Sequence, residues 1–237
     1  MGSTLSLHLG DVVAAQAKAS ERATFLTRTY THLAGAILAF VGLESVLLSS
    51  PLARPILEFA FGGTFNWLAV LGLFMVAGFV AERWAASATS VGQQYAGLAL
   101  YVVAEAFLFL PLLALASAFT TPDVIPTAAI VTVLDFTGLT AIVFLTRKDF
   151  SFLKGILGVG AISALALIVA GALFGFNLGV LFAVAMVALA SGYVLYYTSR
   201  VLHHYKTTQH VAAALALFAA IALLFWYILQ IFMSRRS

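Results

Sequence analysis

The chain has 237 residues, of which 63% are hydrophobic and 9% charged, and its mean hydropathy is +1.07. Soluble domains carry about 25% charged residues, so this composition cannot clothe a water-facing surface and excludes a soluble globular protein. Twelve basic residues against nine acidic give a net charge of +3, and there is no cysteine. The basic excess belongs to loops at a membrane surface rather than to nucleic-acid binding. Disulfides, thiolate metal sites and cysteine nucleophiles are excluded.

Residues 1–28 mix Leu5, Leu7, Leu9, Val12 and Val13 with Asp11, Lys18, Glu21 and Arg22, which suits a cytoplasmic tail or an interfacial helix. Residues 29–237 read as one all-α membrane domain of seven transmembrane helices. The apolar runs place the spans at about 30–50, 65–82, 94–117, 124–146, 152–174, 178–199 and 211–233. The first run stands behind Lys18, Arg22 and Arg28 and is long enough to span, so it is expected to be retained rather than cleaved. Pro51, Pro55 and Gly62-Gly63 punctuate the first joint, Pro122 and Pro126 the third, and Gly175 to Gly179 the fifth. A membrane barrel is excluded because a run such as Ala164 to Ala172 would put apolar groups on both faces of a strand.

Basic residues set the orientation. Lys18, Arg22, Arg28, Arg83, Arg147, Lys148, Lys154, Arg200 and Lys206 fall on the side of the N-terminus, and Arg54, Arg235 and Arg236 on the other. Nine against three places the N-terminus in the cytoplasm and the C-terminus outside. The glycines of Gly155 to Gly160, and of Gly171, Gly175 and Gly179, have the small-residue spacing that lets helices approach closely.

Charge inside the membrane is the informative class, since an ionised carboxylate at a helix centre costs about 2.5–3.5 kcal/mol on insertion scales. Glu105 falls midway along the third span, Asp135 midway along the fourth, and Glu44 in the outer part of the first. No Lys or Arg lies at matching depth, so each must be protonated, hydrated or paired with a cation. These three are the candidates for an ion pathway or pH sensing. Tyr101 sits one turn before Glu105, and Thr132, Asp135 and Gly138 form a small polar stripe. Pro111 removes a backbone hydrogen bond and is expected to bend the third span beyond Glu105.

His203, His204 and His210 crowd the sixth joint. Adjacent histidines diverge by about 100° on a helix and no carboxylate is near in sequence, so they read as solvated interfacial residues, as does His32. Glu82-Arg83 at the end of the second span reads as an ion pair or a latch partner. Every histidine lies near an interface, which leaves no Ser–His pair at one depth. Without a phosphate-binding glycine loop or a metal-protease motif either, enzymatic activity is not expected, and neither a catalytic residue nor a cofactor is assigned.

Several strings together resemble the bacterial branch of the Bax inhibitor-1 family. They are Arg28-Thr29-Tyr30, Ala104-Glu105-Ala106 with Phe109-x-Pro111, Thr146-Arg147-Lys148-Asp149-Phe150-Ser151-Phe152-Leu153, and the joint from Tyr196 to His204 with the span after it. The resemblance implies a bacterial inner-membrane protein whose last helix is central and enclosed by the other six. The span Val211 to Met233, which holds no charged residue or histidine, suits that position. It also implies a pH-sensitive Ca²⁺ leak gated by two aspartates, one on the sixth helix and one on the seventh. This chain departs at both. Tyr197 stands at the first position and Ala220 near the second. A phenol with an ordinary pKa of about 10 does not titrate near neutrality, and alanine does not titrate at all. Arg83, similar to the arginine that latches the sensor in relatives, loses that partner.

Two readings follow. The chain is a cation leak, for Ca²⁺ or another cation, with Glu105 and Asp135 lining the path. Alternatively it is a non-conducting subunit or modulator of another membrane complex, such as a membrane-anchored protease.

Overall fold

The computed structural model describes residues 12–234. It is helical throughout: α1 (Ala19–Ser49), α2 (Ala53–Phe61), α3 (Thr64–Ala85), α4 (Val91–Phe119), α5 (Val124–Thr146), α6 (Leu153–Phe174), α7 (Gly179–His203) and α8 (His210–Ser234). All but α2 are long and apolar enough to cross a bilayer, which gives the seven expected spans.

Two boundaries differ from expectation. The first helix begins at Ala19, about three turns before Tyr30. Its 31 residues rise about 46 Å, well beyond a hydrocarbon core of about 30 Å, so its polar first turns stand outside the apolar slab. Hydropathy marks the slab and not the helix end. The first joint holds α2, a helix of nine residues. Pro55 is in its first turn, where no N–H is needed, and Arg54 and Glu58 pair across one turn at 2.7 Å.

The tail divides. Residues 1–11 lie outside the described residues. The next few form a strap over the α7–α8 joint: the Ala14 N–H donates to the Tyr205 carbonyl at 2.9 Å and the Thr207 N–H to Val12 at 3.1 Å. Arg22 Nε donates to the Ala14 carbonyl at 2.7 Å and ties the strap to α1.

The bundle is organised on α8, which packs against α1, α3, α4, α5 and α7. In α8, 67% of the most apolar window is buried, against 50% in α4 and less in the other spans. Aromatic edges lock it in place. Phe40 meets Phe109 at 5.1 Å and Phe218 at 6.0 Å, while Tyr101 meets Phe218 at 6.1 Å. The remaining member of the expected enclosure, α6 (the fifth span), reaches the bundle through α7 and α3 instead. Its glycines correct the expectation of uniform close packing. A Cβ on Gly160 would meet Leu189 at 2.7 Å, but Gly155 and Gly158 face open space. Gly175 and Gly179 have φ of +74° and +66° and make the α6–α7 turn. Among the described glycines the tightest approach is instead at Gly97, where a Cβ would come within 2.5 Å of Ala81 and Ala85 backbone on α3.

Candidate functional site

The site follows from how α6 is held. Packed on α7 and α3 rather than on α8, α6 leaves a space that Ala161, Ala164 and Ala172 line from one side and Ala219 and Ala220 from the other. A cavity of about 970 Å³ remains, walled by α3, α4, α6, α7 and α8. Along α8 its lining runs from Ala219 to Ser234, about 22 Å of helix.

Glu105 is on this wall, buried to 4% exposure, with the Tyr101 side chain against its carboxyl from one turn earlier. Among the described residues, no Lys, Arg, His or Asp lines the cavity. Among the described residues Glu105 is therefore its only carboxyl, on walls that are mostly apolar and aromatic, with Asn177, Gln230 and Ser234 as the other polar side chains besides the tyrosines. Pro111 lies further along α4, which runs through it as one helix of 29 residues.

The other two acidic candidates lie elsewhere. Asp135 is half-buried on α5 and accepts a hydrogen bond from the Ser191 hydroxyl at 3.1 Å. It lines a separate, smaller cleft with Val131, Val187 and Ile228. Glu105 and Asp135 therefore do not share a cavity: of the polar stripe on α5, Asp135 meets Ser191 on α7, Thr132 spends its hydroxyl on the Ala128 carbonyl at 2.8 Å, and Gly138 faces open space. Glu44, 4% exposed on α1, is within electrostatic reach of Glu105 but does not line the cavity. Neither of its carboxyl oxygens has a hydrogen-bond partner.

The two altered positions meet Glu105 on the same wall, since both Tyr197 and Ala220 line the cavity. Tyr197 stacks on Tyr193 with ring centroids 5.8 Å apart and planes 17° apart. The lining extends no further than Tyr197 along α7 or Ala219 along α8, so the tyrosines close that end. Glu82 is within electrostatic reach of Tyr101, Tyr197 and Tyr205. Arg83 turns the other way and lies over the Phe79 ring at 5.4 Å. It forms no ion pair with Glu82, because neighbouring helical residues diverge by about 100°.

Sequence reasoning missed a contact at the next level. Asp149 and His204 are 55 positions apart, and Asp149 Oδ2 lies 2.8 Å from His204 Nε2. Ser199 Oγ accepts the Phe150 N–H at 2.8 Å, and Asp149 Oδ1 accepts the Ser151 N–H at 2.9 Å. Desolvation would raise the Asp149 carboxyl, but the Ser151 N–H and the His204 imidazole together outweigh it and hold it down at about 2. The Asp149-Phe150-Ser151 string thus clasps the α5–α6 joint to the end of α7. His32 does not simply face solvent: its Nε2 lies 2.9 Å from the Tyr95 hydroxyl, and its ring is 5.0 Å from that of His210. His203 and His210 each bury one ring nitrogen without a partner.

Comparison with known proteins bears on the whole bundle. The model of the family described as inhibitor of apoptosis-promoting Bax1 matches residues 22–237. An uncharacterized protein of Pseudomonas aeruginosa is 34% identical over 111 residues, 46% of this chain and 50% of that protein. The matched stretch thus spans about half the length of that relative.

Proposed function

The chain belongs to the Bax inhibitor-1 family, and on that premise we propose that it is a pH-influenced cation leak whose path runs through the Glu105 cavity. The observation that carries this reading is the position of Glu105, among the described residues the only carboxyl on the wall of a cavity of about 970 Å³ that Tyr197 and Ala220 also line. With the family's two aspartates replaced, Glu105 supplies the negative charge. Protonating it removes that charge, so flux falls as the pH is lowered. Ca²⁺ takes 6–8 oxygen ligands. One carboxylate and nearby phenols fall short of that, so the ion keeps most of its water as it passes. The stacked Tyr193 and Tyr197 form the constriction, and Glu82 receives the ion beyond them. In this reading the N-terminus is cytoplasmic, the C-terminus is outside, and the membrane is the bacterial inner membrane, in keeping with the bacterial relative. We assign no catalytic role.

A second reading, a non-conducting subunit or modulator of another membrane complex, has Asp135 in its favour. That carboxyl is half-buried on the bundle's flank beside Leu134, which is 67% exposed, where a partner helix can reach it. Purified protein in liposomes separates the two. Ca²⁺ flux above that of empty liposomes is expected. No flux, together with a stoichiometric partner recovered in mild detergent, supports the second reading.

A further inference from the structure

We propose that the Glu105 cavity is a binding site for a lipophilic organic cation, its ammonium or phosphonium centre held at Glu105 and its apolar groups against the surrounding rings. This rests on reading the cavity as a cation site, and it names the class of cation that the walls suit best. Three features converge. The volume of about 970 Å³ falls at the upper end of small-molecule pockets, about 300–1,000 Å³, and is far more than a bare metal ion needs. The charge has one sign among the described residues, because Glu105 is the lining carboxyl and no described basic side chain lines the cavity with it. The walls are aromatic: Trp67, Phe74, Tyr101, Phe109 and Trp226 all line the space, and the faces of such rings attract cations, more strongly where water is excluded.

The physical distinction lies in what each kind of cation demands. A small hard cation gives up its water only to a nearly complete set of oxygen ligands, and here one carboxylate is joined only by scattered phenol, amide and hydroxyl oxygens such as those of Tyr197, Asn177, Gln230 and Ser234. A diffuse organic cation needs an opposite charge and apolar contact, and the cavity offers both. A lipid tail would satisfy the apolar walls but would leave the Glu105 carboxyl facing hydrocarbon, a costly arrangement. The way in is from the bilayer. Met75 on α3 is 53% exposed and Leu165 on α6 is 37% exposed, and both line the cavity, so it reaches the flank of the bundle between those helices.

The test uses two ions of nearly the same size and opposite charge, tetraphenylphosphonium and tetraphenylborate. Each is titrated against the protein in nanodiscs by equilibrium dialysis, with empty nanodiscs subtracted, while quenching of tryptophan fluorescence reports on Trp67 and Trp226. Saturable binding of the phosphonium and none of the borate is expected. Glu105→Gln should weaken phosphonium binding about tenfold or more, Glu105→Asp should retain it, and Asp135→Asn should leave it unchanged. Equal binding of the two ions, or full phosphonium affinity in Glu105→Gln, overturns the proposal. Occupancy is measured here without flux. A protein that conducts through Glu105 yet ignores phosphonium therefore loses only this inference, whereas one that neither binds nor conducts loses the cavity reading as well.

Discussion

At the scale of single residues, a buried polar group without a partner costs about 1–3 kcal/mol, and Glu44 leaves both carboxyl oxygens in that condition. Because Glu44 stands off the cavity, Glu44→Met is expected to raise the melting temperature of the purified protein and to leave Ca²⁺ flux intact. A lower melting temperature would show that the carboxyl has a partner that stabilises it. Asp149 makes the opposite case. Its carboxyl is held at about 2, below the ordinary value of about 3.9, so its contribution to stability is full above about pH 4 and is lost as the pH falls through about 2. Both side chains of the Asp149–His204 pair are more than two-fifths exposed. Solvent screening therefore limits the pair to about 1 kcal/mol or less. Asp149→Asn should melt slightly below the wild type at pH 6, and the gap should close toward pH 2. Glu105 was legible in the sequence because a charge in an apolar run is conspicuous. Asp135 gives the same signal, and only the helix packed against it decides that it meets Ser191 rather than the cavity. The Asp149–His204 contact was hidden because each residue reads as an ordinary loop side chain until α5 and α7 are laid side by side.

At the scale of helices, the sequence carried the count and the type of the long elements, since seven long apolar runs without strand alternation admit little else. The ends were less legible. Polar residues such as Glu21 and Arg22 continue α1 without adding to hydropathy, and α2 is too short to stand out among prolines and glycines. The glycines show the same limit, because spacing alone does not say what each one touches. Gly97 and Gly155 are expected to respond with opposite signs. A methyl on Gly97 meets α3 backbone at 2.5 Å, which cannot give way as a side-chain tip can, so Gly97→Ala should destabilise by about 1–3 kcal/mol. Gly155 faces open space, so Gly155→Ala should stabilise by up to about 1 kcal/mol through helix propensity. Thermal melts of the two variants in one detergent check the pair, and a shared sign would refute the packing described for α3 and α4.

At the scale of the whole molecule, the proposed leak rests on a contact that is not made. The family resemblance implied a central last helix, the uncharged run of α8 suited that position, and α8 is the most buried span. No pattern in α6 announced that alanines would leave it standing across a cavity, because a void belongs to two helices at once and to neither sequence alone. That void gives Glu105 a solvent-sized space to act in and leaves Asp135 outside it. The most direct measurement is Ca²⁺ flux into liposomes for the wild type, Glu105→Gln and Asp135→Asn, each across a range of pH. The account predicts that Glu105→Gln lowers the flux and flattens its pH dependence, while Asp135→Asn follows the wild type. Flux that survives Glu105→Gln with its pH dependence intact, or that is lost in Asp135→Asn, would contradict it.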